Sequence, residues 1–261
     1  MDDILIVIGI AAALSLVFAL LILLVSKFCT VKEDERVGQV LECLAGANCG
    51  GCGQPGCEGF AKALVEGKAQ VTQCGPTSNE NKAKIAEILG VEFVGADPSY
   101  AVVKCAGGEL AINKYEFVGN EGCISQNAYV NGKKVCENGC IGEGTCEKVC
   151  PYHAIKIENG VSLVDKALCE SCGLCITRCP KKIIEKIPKS ARVYVACSST
   201  CRGKEVMNMC KSGCIGCGLC AKNCPVGAIT MTDNLPRIDY SKCTGCLTCL
   251  EKCPRKTIRE L

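Results

Sequence analysis

Residues 4–26, ILIVIGIAAALSLVFALLILLVS, run for 23 positions without a charge, and their only polar side chains are Ser15 and Ser26. A helix of that length at about 1.5 Å per residue reaches roughly 34 Å, enough to cross a hydrocarbon core of about 30 Å. The run predicts a transmembrane helix rather than a cleaved leader. Asp2 and Asp3 stand where a signal peptide carries basic residues, and Lys27-Phe28-Cys29 follows the run without a small-residue cleavage site. No Lys or Arg precedes the span, whereas Lys27, Lys32 and Arg36 follow it. That asymmetry predicts a single pass through the cell's inner (plasma) membrane, N-terminus outside and bulk cytoplasmic.

Beyond this anchor the periodicity changes. Residues 32–45 place Val37, Val40, Leu41 and Leu44 on one face, which predicts a short amphipathic helix. Residues 46–57 are too rich in glycine and cysteine for regular structure and read as a loop wrapped around something. Helical patterns run from Glu58 to Glu66, stopped by Gly67, and from Asn79 to Leu89, stopped by Gly90. Residues 100–105 and 192–197 read as strands. Residues 155–165 and 229–239 alternate apolar and polar positions around Asn159-Gly160 and Asp233-Asn234, as hairpins do.

From about residue 123 onward the chain repeats itself. A constant shift of 74 residues lays Cys136, Cys140, Cys146, Cys150, Cys169, Cys172, Cys175 and Cys179 on Cys210, Cys214, Cys220, Cys224, Cys243, Cys246, Cys249 and Cys253. Flanking residues agree, with GCIG at 139 and 213 and a proline at 151 and 225. One position breaks the pattern, because Cys217 of the second copy corresponds to Glu143, and the first copy needs a substitute ligand there.

Composition decides what the repeat carries. Cysteine supplies 27 of 261 residues, a density otherwise expected of short disulfide-stapled secreted domains, a class for which this chain is too long. In a reducing cytoplasm the thiols read as metal ligands. A single histidine, His153, argues against mixed Cys/His zinc sites and histidine acid–base chemistry; aligned with Gly227 of the second copy, it reads as structural. The net charge of +3 offers no basic field for nucleic acid.

Three runs fit C-x2-C-x2-C-x3-C-P: Cys169 to Pro180, Cys214 to Pro225 and Cys243 to Pro254. This spacing lets three thiolates on a tight loop hold one face of a 4Fe-4S cube while the fourth reaches the neighbouring cube of a pair. Zinc would need two separated pairs and would leave a third nearby cysteine unused. The crossing rule assigns Cys214, Cys217, Cys220 and Cys253 to one cluster, and Cys224, Cys243, Cys246 and Cys249 to its partner. In the first copy Cys150, Cys169, Cys172 and Cys175 make a full set. The remaining cluster uses Cys140, Cys146 and Cys179 with a fourth ligand, for which Cys136 is the first choice and Cys123 the reserve.

Nearer the anchor, Cys49, Cys52 and Cys57 in CGGCGQPGC, with Cys74 farther on, suit a single cluster. The formal G-x-G-x-x-G inside this stretch follows no apolar strand and is not a dinucleotide site. These five 4Fe-4S clusters use 20 cysteines and leave Cys29, Cys43, Cys105, Cys123, Cys197, Cys201 and Cys210. Cys29 and Cys43 read as small apolar packing residues. The others lie just upstream of the runs and could supply a sixth cluster. Lys181, Lys182, Arg255 and Lys256 read as a solvated face or as a dock for an acidic redox partner. No nucleophile with a base and no catalytic residue is evident, so the chain alone has no complete active site.

Taken together, the N-terminal apolar helix, NCGGCGQPGCEGFAKAL with Cys74, VVKCAGG, GCIGEGTCEKVCP and the tandem cysteine runs resemble the B subunits of Rnf complexes over essentially the whole chain. The resemblance implies a subunit of an ion-translocating ferredoxin:NAD+ oxidoreductase, a translocase moving Na+ or H+. It implies electrons arriving from reduced ferredoxin and leaving towards membrane, flavin-bearing and NAD-reducing subunits. It places ferredoxin docking on residues 136–253 and the exit at Cys49, Cys52, Cys57 and Cys74 beside the membrane. A lone helix without an ionisable group near its middle cannot conduct ions, so pumping belongs to partner subunits. The expected architecture is α+β: a transmembrane anchor (1–29), a small helical and loop 4Fe-4S domain (30–95), and two ferredoxin-like two-cluster modules (96–190 and 191–261). Two other readings stand beside it. One is an anchored ferredoxin-like subunit of another respiratory complex, against which the Cys49 block argues; the other is an Fe-S redox sensor, for which no effector region is visible.

Overall fold

Leucine, isoleucine, valine and alanine, uninterrupted by proline, form one long helix, α1 (Asp2–Phe28). The structure, a computed structural model, describes residues 2–28, 34–95, 97–119, 122–129 and 131–261, so Cys29 and Lys32 lie outside the described residues. Phe18, Ile22 and Leu23 of α1 are exposed at 62%, 66% and 66%. The unbroken stretch of described side chains in α1 covers 12–25, and among the described residues no helix is long and apolar enough to cross a membrane, for which about 20 residues are needed. The transmembrane helix expected over 4–26 therefore goes beyond what the structure shows.

Three short helices follow: α2 (Glu35–Cys43), α3 (Gly56–Val65) and α4 (Asn79–Leu89). They share a core of Val37, Val40, Phe60, Leu64, Val71 and Ile85. Of the face expected on α2, Val37, Val40 and Leu44 are buried, whereas Leu41 turns outward. Helix α3 starts two residues earlier than its pattern suggested, which brings Cys57 into its first turn. Helix α4 has the bounds its pattern predicts, because both ends carry strong stop signals. Ser78 accepts from the Asn81 amide at 3.2 Å, and Gly90 closes the helix in the left-handed conformation at φ +67°. Ser78→Ala is expected to lower the stability of this three-helix unit by about 1 kcal/mol, read as a lower midpoint in denaturant titration with its slope unchanged.

The remainder is two copies of one plan. In the first, β1 (Ser99–Val103) pairs antiparallel with β4 (Ile184–Pro188), in a register that sets Val103 against Ile184, and encloses the hairpin β2 (Ile155–Glu158) to β3 (Val161–Val164). Short helices α5 (Cys123–Ala128), α6 (Thr145–Lys148) and α7 (Leu174–Arg178) carry cysteines over this frame. In the second, β5 (Val193–Val195) pairs with β8 (Ile258–Glu260) around the hairpin β6 (Ile229–Thr232) to β7 (Leu235–Ile238), with helices α8 (Gly203–Met209), α9 (Leu219–Lys222) and α10 (Thr248–Glu251). The closing strands β4 and β8 had no alternation to announce them; they form because β1 and β5 need a hydrogen-bonded neighbour. Unusual backbone recurs with the 74-residue shift, at Lys182 (φ +51°) and Lys256 (φ +49°) and at Asn159 and Asp233 (both φ +49°). His153 (φ +50°) and Gly227 (φ +62°) occupy the same turn, which accounts for the histidine as a turn residue.

The copies also differ in length after their first strand. Cys105 and Cys136 are 31 residues apart, whereas their second-copy counterparts Cys197 and Cys210 are 13 apart, and the additional residues in the first copy include α5. The modules join through two main-chain bonds, Ile112 N to Met209 O at 3.0 Å and Lys211 N to Leu110 O at 3.0 Å, and through a side-chain bond from Ser198 Oγ to Lys104 O at 2.7 Å. The three-helix unit approaches the first module through glycine. A Cβ on Gly51 would stand 2.3 Å from the Cys172 carbonyl oxygen, and one on Gly75 would stand 2.2 Å from that of Ser171.

Candidate metal centres

The loop before α3 is shaped to present sulfur. Asn48, Gly50, Gly53 and Gly56 all adopt positive φ, between +46° and +87°, and the Asn48 side chain accepts from the Cys57 amide at 2.8 Å. Cys74 is buried against the same core and contacts the Thr77 hydroxyl at 3.1 Å. Burial raises the Cys52 thiol, and the neighbouring Cys74 and Cys49 add to the effect. Cys52 thus stands near Cys49 and Cys74, and Cys57 packs against the same core as Cys52 and Cys74. Cys43 packs in the apolar core of the three-helix unit.

In the first module, Cys150, Cys169, Cys172 and Cys175 come together beneath β1. The Cys175 thiol is pushed up to about 12, by burial first and then by Cys169, Cys172, Cys146 and Cys150. The Ala101 amide donates to Cys169 Sγ at 3.5 Å. A second centre is a cavity lined by Cys123, Cys140, Cys146 and Cys179. Cys136, the first choice at this centre, lies outside it. A tight turn, closed by Gly139 N to Cys136 O at 3.1 Å, separates Cys136 from Cys140, and the two line different cavities. Cys136 lines a cavity at the module junction, together with Cys105, Cys197 and Cys210. Helix α5 brings Cys123 into the place left by Glu143, which pairs instead with Lys133 at 2.7 Å.

In the second module a cavity is lined by Cys214, Cys217, Cys220 and Cys253. Burial raises the Cys253 thiol, but the amides of Ile258, Thr257 and Arg255 outweigh it and leave the group below its ordinary value. Cys249 is raised to about 11 by burial and by Cys243, with a smaller contribution from Cys246, and Cys224 packs against the apolar cluster that holds Cys249. Of the cations expected to face a partner, Lys181 donates to Asn131 O at 2.6 Å and Arg255 to Cys210 O at 2.8 Å, so both tie loops together.

The donor set fits a polynuclear iron–sulfur group better than a single ion. Among the described residues no three His, Cys, Asp or Glu side chains close on one point. The cysteines instead line three small cavities of about 20 Å³ each, four to a cavity. Amides point at their sulfurs, as at Cys169 and at Cys253, where the Thr257 amide donates at 3.3 Å; such bonds tune cluster potential. Burial raises the Cys52, Cys175 and Cys249 thiols, so metal binding there displaces their protons.

Comparison with known proteins agrees with this chemistry. A family model described as "Putative Fe-S cluster" matches residues 44–76, and one described as "4Fe-4S dicluster domain" matches residues 213–257. Along nearly its whole length the chain is also similar to the B subunits of three ion-translocating complexes. It is 41% identical over 244 residues to that of the Na+-translocating ferredoxin:NAD+ oxidoreductase complex of Acetobacterium woodii, covering 93% of this chain and 73% of that protein. It is 38% identical over 253 residues to that of the ion-translocating oxidoreductase complex of Methanosarcina acetivorans, covering 96% of each. It is 34% identical over 244 residues to that of the proton-translocating ferredoxin:NAD+ oxidoreductase complex of Clostridium ljungdahlii, covering 92% of this chain and 86% of that protein. With clustered cysteines in every folded unit and this extent of likeness, the chain carries several 4Fe-4S clusters and belongs to the family of B subunits of ion-translocating (Rnf) oxidoreductase complexes.

Proposed function

We propose that this chain is the membrane-anchored relay that receives electrons from reduced ferredoxin and feeds them into an ion-translocating ferredoxin:NAD+ oxidoreductase. Bound 4Fe-4S clusters supply one-electron transfer; the chain's own residues hold them in order and shield them from water. Five sets carry the reading: Cys49, Cys52, Cys57 and Cys74; Cys150, Cys169, Cys172 and Cys175; Cys123, Cys140, Cys146 and Cys179; Cys214, Cys217, Cys220 and Cys253; Cys224, Cys243, Cys246 and Cys249. The observation that carries it is the close seating of Gly51 and Gly75 on Ser171 and Cys172, because it sets the N-terminal sulfur loop against a cysteine run of the first module. Helix α1 supports anchoring: its 27 residues reach about 40 Å, and its described apolar side chains face outward. Electrons then enter at the second module, leave at the Cys49 block beside the bilayer, and pass to the membrane, flavin-bearing and NAD-reducing subunits.

The test uses the full chain prepared without oxygen. Reduced ferredoxin is expected to bleach its iron–sulfur absorbance, and the chain is expected to float with liposomes, whereas a chain lacking residues 2–28 bleaches equally but stays in solution. A chain that dithionite reduces and ferredoxin does not would remove ferredoxin as donor. Flotation of the shortened chain would remove α1 as the anchor.

A further inference from the structure

The cavity at the module junction is lined by Cys105, Cys136, Cys197 and Cys210, and no charged side chain lines it. Its thiols come in symmetric pairs, two from each copy. Cys136 and Cys210 correspond under the 74-residue shift. Cys105 and Cys197 each stand two residues beyond the first strand of their module, β1 ending at Val103 and β5 at Val195. We infer that these four thiolates hold a further 4Fe-4S cluster, shared by the two modules.

All four cysteines border one small cavity of about 20 Å³, so their sulfurs face a shared space. The lining is cut back to make that room: a Cβ on Gly107 would stand 3.2 Å from Cys210 Sγ and 3.6 Å from Cys105 Sγ. Amides address the sulfurs here as they do at the other centres, with Gly107 N to Cys105 Sγ at 3.4 Å, Cys140 N to Cys105 Sγ at 3.3 Å and Cys214 N to Cys197 Sγ at 3.4 Å. Two of those donors give the site its meaning. Cys140 belongs to a neighbouring set in the first module and Cys214 to a neighbouring set in the second, so a cluster here lies between them and joins the modules into one conductor. Cys201 lines none of the cysteine-ringed cavities and is left as a packing residue.

The inference rests on the iron–sulfur reading of the other five sets, and an elemental count separates the two. In the full chain, prepared without oxygen and reconstituted to constant composition, iron and acid-labile sulfide are expected near 24 of each, six cubes of four. Cys136→Ala from one module and Cys197→Ala from the other are each expected to remove about four of each, and Cys201→Ala none. A parent count near 20, or alanine variants that keep the parent count, overturns the shared cluster and leaves the other five standing. Zinc without sulfide overturns both. If an alanine variant loses all its metal with its fold, the parent count decides.

Discussion

A chain carrying Cys123→Ala is expected to lose about four irons and four sulfides, and adding Glu143→Cys to that chain is expected to restore them. Cys123 lines the cavity of Cys140, Cys146 and Cys179, and the position that would complete their run, 143, holds glutamate where the second copy has Cys217. The backbone is already shaped for a cysteine there. Gly142 and Gly144 have φ of +88° and +71°, and the residues flanking Cys217, Gly216 and Gly218, have +66° and +71°. The substitution removes a partly buried ion pair with Lys133, worth on the order of 1 kcal/mol, less than the loss of a metal centre. Iron and sulfide analysis of the single and double variants decides the matter. Full metal in Cys123→Ala would return the fourth ligand to another thiol; no recovery in the double variant would mean that the two copies are not equivalent at this loop.

Gly51→Ala and Gly75→Ala are expected to lift the three-helix unit off the first module without costing any iron. Each new methyl would meet a backbone carbonyl oxygen, at 2.3 Å and 2.2 Å, and neither Ser171 nor Cys172 can turn that group aside as a long side chain could. Overpacking of this kind costs about 1–3 kcal/mol, which shifts the docked fraction by roughly 5–150-fold. Faster hydrogen exchange is expected around residues 171–172, together with slower delivery of electrons from ferredoxin to the rest of the complex. Gly38→Ala is the control, since a Cβ there meets nothing within 4 Å. Unchanged exchange and unchanged electron delivery in both variants would mean that the contact does not hold the units together.

How much of this was legible beforehand follows from how far apart the interacting residues lie. The runs from Cys169, Cys214 and Cys243 could be read because a C-x2-C-x2-C loop folds on itself within a few residues, and the Asn79–Leu89 helix because its stop signals are local. The junction cavity could not. Its ligands come from two modules, and the constant shift of 74 sets Cys197 against Cys123, whereas the strands set it against Cys105. The longer first copy, with α5 inside it, breaks the arithmetic there, and only strand pairing restores the correspondence.

By itself, then, the sequence determined the chemistry: thiolate in abundance, spacing suited to iron–sulfur cubes, a duplicated module and one long apolar helix, each written in neighbouring residues. Tertiary structure alone decided which distant cysteines share a centre. It took Cys136 from Cys140 and put Cys123 in its place, because a turn at Gly139 and the placement of α5, rather than distance along the chain, set where each sulfur stands.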